Sequence, residues 1–301
     1  PDLYVANGAN LPGSRLSPPP TNTLYRNNGD STFTDVTVEA GLGDTSYSFG
    51  VAAGDYDSDG DPDLYVTNFG PNKLYRNNGD GTFTDVTQTA GIGDPRWSTS
   101  CAFLDVDNDG DLDLFVVNYM QFSFEDHRWW ETDGLRTYRS PADQIAGTAF
   151  VSQRDTLYRN HGDGTFTDIS LEVGIVEEGL GLSVAVGDYD NDGDPDIQVA
   201  NDMERDFLYQ NSGDGTFVEV ASLVGVGYDE NGMPGSGMGS GFGDYDNDGD
   251  LDLIVSGMEE NGTSLTQLYR NGGASGWLLE LDEVNSEALV NVHGGDLAWG
   301  D

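Results

Sequence analysis

Short apolar runs recur along the chain, and a run of small residues precedes each one. The apolar runs are "DLYVTN" from Asp63, "DLFVVN" from Asp113, "DIQVAN" from Asp196 and "DLIVSG" from Asp252. They are rich in β-branched and aromatic residues and are bounded by Gly, Asn and Asp, which predicts short strands. The same spacing of Gly, Asn and Asp excludes a helical solenoid.

A second motif follows the apolar runs and shows that the chain is a repeat. It reads "LYRNNGDSTFTDVT" from Leu24, "LYRNNGDGTFTDVT" from Leu74, "LYRNHGDGTFTDIS" from Leu157 and "LYQNSGDGTFVEV" from Leu208, with a decayed copy from Leu268. The interval is about 50 residues, a length typical of propeller blades. Each unit therefore predicts four strands, for example "SFGVAAG", "DLYVTN", "KLYRN" and, after a turn, "TFTDVT".

Four-stranded units in series predict an all-β chain folded as a β-propeller. We expect a single domain over residues 1–301, with five blades and an insertion at 119–155 in the third blade. An open β-sandwich is the alternative, but it would not explain such regular repetition.

The two ends of the chain carry complementary halves of one blade. "PDLYVANG" from Pro1 matches a second strand, and "GGDLAWGD" ending at Asp301 matches a first strand. We therefore expect the C-terminal strand to close the first blade and Asp301 to lie near Asp2. Two alternatives are a cut from a longer propeller and a strand donated to a neighbouring subunit.

Four acidic loops join the first and second strands of their units, with an acid at every second position. The loops are "DYDSDGDPD", "DVDNDGDLD", "DYDNDGDPD" and "DYDNDGDLD". Their acids are Asp55, Asp57, Asp59, Asp61 and Asp63; Asp105, Asp107, Asp109, Asp111 and Asp113; Asp188, Asp190, Asp192, Asp194 and Asp196; and Asp244, Asp246, Asp248, Asp250 and Asp252.

This spacing predicts a cage for a hard cation. Carboxylates at positions 1, 3, 5 and 9, a glycine at position 6 and a backbone carbonyl at position 7 suit Ca²⁺. An EF-hand is excluded because position 12 is valine rather than glutamate, as at Val66. Mg²⁺ prefers fewer carboxylates, and Zn²⁺ would need His or Cys. A metal-free Asx-type turn is the alternative.

The loops and the "LYRNNGDGTFTDVT" hairpin resemble FG-GAP/VCBS repeats, the calcium-binding blades also found in integrin α-subunit propellers. The resemblance implies side-chain ligands at positions 1, 3, 5 and 9 and a backbone carbonyl at position 7. About four Ca²⁺ ions would then bind. The segment "GLRTYRSPADQ" is most similar to the bacterial ASPIC/UnbV, or cartilage-acidic-protein-like, group.

Charge narrows the class of partner. The chain has 54 acids against 12 bases, a net charge of −42, which argues against nucleic-acid or anionic-membrane partners. No run of 18 or more apolar residues occurs, so we expect no membrane insertion. The chain begins at Pro1, and we expect a processed form or a fragment of an extracellular or cell-surface protein. Cys101 lies in the apolar run "CAFL", which predicts a buried, inert thiol.

The longest variable segment is the insertion, whose aromatic and arginine residues are typical of contact surfaces. Arg128, Trp129, Trp130 and Tyr138 are therefore candidate ligand-binding residues; the alternative is that the tryptophans pack onto the propeller. No catalytic motif occurs, so we expect a binding, adhesion or assembly module for a protein or carbohydrate ligand, or for self-assembly. A polysaccharide lyase on a propeller scaffold is the second hypothesis.

Overall fold

Five antiparallel sheets follow one another in the computed structural model, which describes residues 1–9, 18–122, 128–132, 135–139, 151–229, 232–258 and 264–273. The first two sheets are β1 (Leu3–Val5), β2 (Thr23–Asn27) and β3 (Phe33–Asp35), then β4 (Ser48–Gly54), β5 (Asp63–Asn68), β6 (Lys73–Asn77) and β7 (Phe83–Asp85).

The remaining sheets repeat the same order. The third combines β8 (Ser98–Leu104) and β9 (Asp113–Asn118) with β13 (Thr156–Asn160) and β14 (Phe166–Asp168). The fourth has β16 (Gly181–Gly187), β17 (Asp196–Asn201), β18 (Phe207–Asn211) and β19 (Phe217–Glu219), and the fifth has β20 (Ser236–Gly243), β21 (Asp252–Met258) and β22 (Ser264–Tyr269).

Two further strand pairs lie outside these sheets. The insertion contains a hairpin of β10 (Arg128–Thr132) and β11 (Leu135–Arg139). Near the end of the insertion, β12 (Gln153–Arg154) pairs with β15 (Glu178–Gly179). Among the described residues, no helix has the length and apolar character to cross a membrane.

The first strands of consecutive blades lie side by side, as in a propeller. Strand β4 contacts β8, β8 contacts β16, and β16 contacts β20. The second strands after the first blade are buried on both faces, and all six residues of β5, β9 and β17 are buried. A strand covered on both faces needs a continuous apolar run, which is the pattern that predicted it.

The hydrophobic core is divided into four clusters in the described part of the chain, and each is shared by two neighbouring blades. One, between the second and third blades, contains Tyr65, Leu74, Leu114 and Phe166. The same cluster buries Cys101, so the expected burial of this thiol is confirmed. The all-β, blade-based architecture is likewise confirmed.

The fourth strands are shorter than the sequence predicted. "TFTDVT" was expected to be extended throughout, but β3 ends at Asp35 and the one-turn helix α1 (Thr37–Ala40) follows. Thr37 donates through its backbone N and its Oγ1 to Asp35 Oδ1, and its Oγ1 accepts a hydrogen bond from Leu24 N, so side chains replace the ladder. The same turn forms at α2 (Thr87–Ala90), α3 (Ser170–Val173) and α4 (Ala221–Val224).

The predicted closure of the first blade lies outside the described residues, because it depends on residues 294–301. The described first sheet has three strands, with β1 at its edge.

Candidate metal centres

Each acidic loop curls tightly where a first strand turns into a second strand. In the first loop Asp55 Oδ1 accepts a hydrogen bond from Asp59 N at 3.0 Å, and Asp55 Oδ2 accepts one from Gly60 N at 2.9 Å. Ser58 and Gly60 have φ values of 56° and 96°, the left-handed region that lets the chain fold back. The equivalent hydrogen bonds of Asp105, Asp188 and Asp244 repeat this geometry in the other loops.

The ninth-position acid fixes the loop to the sheet. Asp63 is fully buried; its Oδ2 accepts a hydrogen bond from Tyr56 N at 3.2 Å and its Oδ1 accepts one from Asn77 N at 2.7 Å. Burial nevertheless raises its pKa to about 6, and raises the pKa of Asp196 to about 7. Burial therefore makes the charged form of these acids less favourable, and a bound cation would offset that cost.

In each loop three acids converge, with one oxygen of each within 4.8 Å of the others. The groups are Asp55, Asp57 and Asp63; Asp105, Asp107 and Asp113; Asp188, Asp190 and Asp196; and Asp244, Asp246 and Asp248. Thus the first three loops bring together positions 1, 3 and 9, whereas the fourth brings together positions 1, 3 and 5.

The remaining predicted ligands lie beside these groups. At position 5, Asp59 Oδ1 accepts a hydrogen bond from Asp61 N at 3.0 Å, and Asp109 and Asp192 make the same contact. Because one oxygen of Asp59 holds the loop, its role as a metal ligand stays a prediction.

The third-position acids show that a cation fits. Within the described part of the chain, Oδ1 of Asp57, Asp107 and Asp246 is buried and has no hydrogen-bond partner. A buried, unpartnered carboxylate oxygen is costly, and three copies at one repeat position fit a cation held among these acids. A donor set of oxygen atoms alone suits a hard cation.

The seventh-position acids point out of the clusters and link the loops of adjacent blades. Asn108 Nδ2 donates to Asp194 Oδ1 at 2.5 Å, and Asn191 Nδ2 donates to Asp250 Oδ1 at 2.7 Å. The side chains of Asp194 and Asp250 are therefore engaged elsewhere, which leaves their backbone carbonyls as the groups that could face a metal.

An aromatic cluster that the sequence did not single out lies at the opposite ends of the strands, around Trp97. Its ring centroid lies 5.1 Å from that of Tyr119, 5.2 Å from that of Phe69 and 5.5 Å from that of Phe49. Phe49 is 40% exposed, and Trp97 Nε1 has no hydrogen-bond partner among the described residues. The sequence feature that could have revealed this cluster is the set of aromatic residues that flank the strands of the second and third blades.

The candidate ligand residues of the insertion fall in the β10–β11 hairpin. Trp129 pairs with Tyr138, and Arg128 pairs with Arg139. The structure therefore brings Trp129 and Tyr138 together in register, with Trp130 next to them in β10; their side chains lie outside the described part.

A family model for the FG-GAP-like repeat matches residues 1–66, 55–116, 142–199 and 188–255. The chain belongs to the FG-GAP-like repeat family. Each match ends in the second strand that follows an acidic loop, and the second and fourth matches also begin at an acidic loop, so the family repeat runs from one blade into the next.

Two individual proteins are similar to this FG-GAP-like chain. Cartilage acidic protein 1 of Xenopus tropicalis is 40% identical over 60 residues, which is 20% of this chain and 9% of that protein. A solved structure of an Agrocybe aegerita lectin that recognises non-reducing terminal N-acetylglucosamine has a TM-score of 0.39 and 19% identity, over 93% of this chain and 77% of the lectin chain. The chain thus spans only a small part of its curated relative.

Proposed function

We propose that this chain is a secreted or surface-exposed β-propeller, stabilised by about four Ca²⁺ ions, that serves as a binding, adhesion or assembly module. The observation that carries the proposal is the unpartnered, buried Oδ1 at the third position of three acidic loops. Each lies beside two further carboxylates, which accept hydrogen bonds from main-chain N–H groups.

The charge of the acidic loops and the oxygen atoms they offer support Ca²⁺ as the bound ion. The clusters consist of carboxylates, and burial raises the pKa of Asp63, Asp113 and Asp196 above the usual range. Ca²⁺ accepts six to eight oxygen ligands in flexible geometry, which an irregular loop supplies more easily than the strict octahedron of Mg²⁺. Binding to the folded chain alone would add to its stability.

We propose an extracellular or surface location for the same reason: acidic loops of this kind need a supply of calcium to offset their charge. The partial match to a cartilage acidic protein supports such a location.

The face opposite the acidic loops is the candidate surface for binding a ligand. The aromatic cluster around Trp97 and the insertion that follows Tyr119 are both at this end of the strands. Aromatic rings offer flat apolar area to a protein or to the faces of a sugar. We propose that recognition occurs here and that the module has no catalytic activity.

The test is thermal unfolding in excess calcium and in excess chelator, with magnesium as the ion control. Calcium should raise the Tm by well over the few degrees that correspond to about 1 kcal/mol, and magnesium should raise it less. A variant with Asp57, Asp107, Asp190 and Asp246 all changed to Asn should lose the calcium response. Coincident curves for the unaltered chain would contradict the proposal.

The absence of catalysis is tested separately with acidic polysaccharides. After incubation with the calcium-loaded chain, we expect no new unsaturated ends by ultraviolet absorbance. Their appearance would favour the lyase hypothesis over the binding module.

A further inference from the structure

A residue at the end of the third strand lies beside the acidic loop of its own blade in the third, fourth and fifth blades. It is an arginine in the third and fifth, and the second blade has Arg76 at this position, whose positive charge acts on Asp57. Arg159 Nε lies 3.3 Å from Asp107 Oδ2, and Arg270 Nη2 lies 2.6 Å from Asp246 Oδ2. In the fourth blade the same place is taken by Gln210, whose Nε2 donates to Asp190 Oδ2.

The third-position acid thus divides its two oxygens. Oδ1 of Asp107 and Oδ1 of Asp246 are buried without a hydrogen-bond partner, while Oδ2 of each lies beside the arginine. Asp190 uses Oδ2 in the same way, but its partner is an uncharged amide. The loops therefore share their backbone geometry and differ by one positive charge.

We infer that the residue at this position sets the calcium affinity of its own loop, and that Gln210 makes the loop at residues 188–196 the tightest of the four. This inference rests on the proposed calcium function. The arginines act as internal counter-ions that compete with the metal for the carboxylates.

The physical reason is the sign and the closeness of the charge. A guanidinium paired with a ligating carboxylate lies only one carboxylate away from the cation, so it repels the cation and withdraws charge from the ligand. In surroundings of intermediate polarity, one such charge should weaken binding by about tenfold. Gln210 keeps the hydrogen bond without this repulsion.

The same contacts predict the weakest loop. Arg270 reaches two acids, since its Nη2 lies 2.6 Å from Asp246 Oδ2 and 3.7 Å from Asp248 Oδ2. Both belong to the converging group of the fifth blade. The loop at 244–252 should therefore bind calcium last.

Calorimetric titration with calcium, after removal of bound ions by chelator, tests the inference on the full chain. The unaltered chain should bind one ion in a tight step that is separate from the rest. Gln210→Arg should weaken that step about tenfold, and Arg159→Gln should add a second tight ion. Asp190→Asn should abolish the step, which assigns it to this loop.

Arg26→Gln is the matched control, because Arg26 occupies the same strand position in the first blade and makes no ion pair with the four acidic loops within the described part of the chain. It removes the same charge and should leave the tight step unchanged. Circular dichroism of each variant verifies the fold. An isotherm with four equal sites, or one unchanged by Gln210→Arg, overturns the inference and leaves the calcium function standing. An absence of any calcium binding overturns the proposed function and the inference with it.

Discussion

The carboxylates at positions 1, 5 and 9 of the acidic loops accept hydrogen bonds from main-chain N–H groups. Asp55 is fixed by Asp59 N and Gly60 N, and Asp63 is fixed by Tyr56 N. What the loops lack is charge compensation, since the basic residues beside them are fewer than the acids. Single substitutions should therefore have effects whose sign depends on calcium.

Asp57→Ala should be such a substitution. Burial and neighbouring acids raise the pKa of Asp57, which shows that its charge is unfavourable without a cation. In chelator, removal of the charge should raise the Tm slightly, whereas in calcium the loss of a ligand should lower stability by roughly 1–3 kcal/mol. Thermal unfolding under both conditions measures the difference.

Asp80→Ala provides the control, because Asp80 lies in an exposed hairpin and accepts hydrogen bonds from Thr82 N at 3.0 Å and Thr82 Oγ1 at 2.6 Å. Its loss should lower the Tm equally with and without calcium. If Asp57→Ala behaves in the same way as Asp80→Ala, the assignment of Asp57 to a metal site is wrong.

A buried acid far from the loops should make stability depend on pH. Asp206 precedes the third strand of the fourth blade, and burial raises its pKa to about 7, against about 3.9 in an unfolded chain. Between these values the folded state binds more protons, so stability falls as pH rises from about 4 to about 7 and then levels off. The slope is at most about 1.4 kcal/mol per pH unit.

Asp206→Asn should remove this slope, and the free energy of unfolding at fixed saturating calcium measures it. The second blade has Asn72 at this position; its Oδ1 accepts a hydrogen bond from Asn68 N, as Asp206 Oδ1 does from Asn201 N. The reciprocal variant Asn72→Asp should therefore introduce a new loss of stability at high pH. Parallel pH curves for all three proteins would refute the argument.

At the scale of elements, the strands that follow from the repeat period and composition were predictable from the sequence. The turns that depend on single side-chain hydrogen bonds were not. The second strands were predictable because burial on both faces demands runs such as "DLYVTN". The helix after Asp35 was not, because it depends on Thr37 bonding Asp35 and on Gly41 at φ 79°. The convergence of acids in each loop was predictable from their spacing, whereas the aromatic cluster around Trp97 joins residues from several strand ends, which no local pattern brings together.

The ends of the third strands also connect the blades. Asn211 Nδ2 donates to Val106 O at 2.9 Å, and Asn160 Nδ2 donates to Tyr56 O at 2.8 Å, so each asparagine reaches the acidic loop of the preceding blade. Asn271 does the same with Tyr189 O. These bonds join neighbouring sheets where the metal sites lie.

Asn211→Ala should cost about 1–3 kcal/mol, because it leaves the carbonyl of Val106 without this partner inside the interface. Asn77→Ala is the control, since Asn77 Nδ2 donates within its own blade, to Pro62 O at 3.1 Å, in exposed surroundings. Chemical denaturation of both variants measures the costs. Equal losses would show that the bond to Val106 adds nothing between the blades.

At the scale of the whole molecule, the first blade differs from its neighbours. Its edge strand β1 borders a cleft of about 750 Å³ that is lined by Tyr4, Leu24, Val51 and Phe83. In the other blades a first strand of small residues pairs with the second strand. An edge whose backbone groups have no strand partner among the described residues, beside an apolar cleft, favours addition of a strand.

Deletion of residues 289–301 tests whether the C-terminal strand fills this place. If it pairs within the chain, the deletion should lower the Tm and leave the molecular mass by light scattering at that of one chain. Conversion of a polymer into single chains would instead show that the strand is donated to a neighbour.

Each hydrophobic cluster contains residues of two neighbouring blades, so it is shielded from water only while both blades are folded and packed together. When such a chain is pulled from one end, its blades should unfold one at a time, and each unfolding event should weaken only the next interface. A cation bound between a first and a second strand would sit across the hairpin that must open at each step. Calcium would thereby set the force that the molecule withstands, a property that suits a protein carrying load between surfaces.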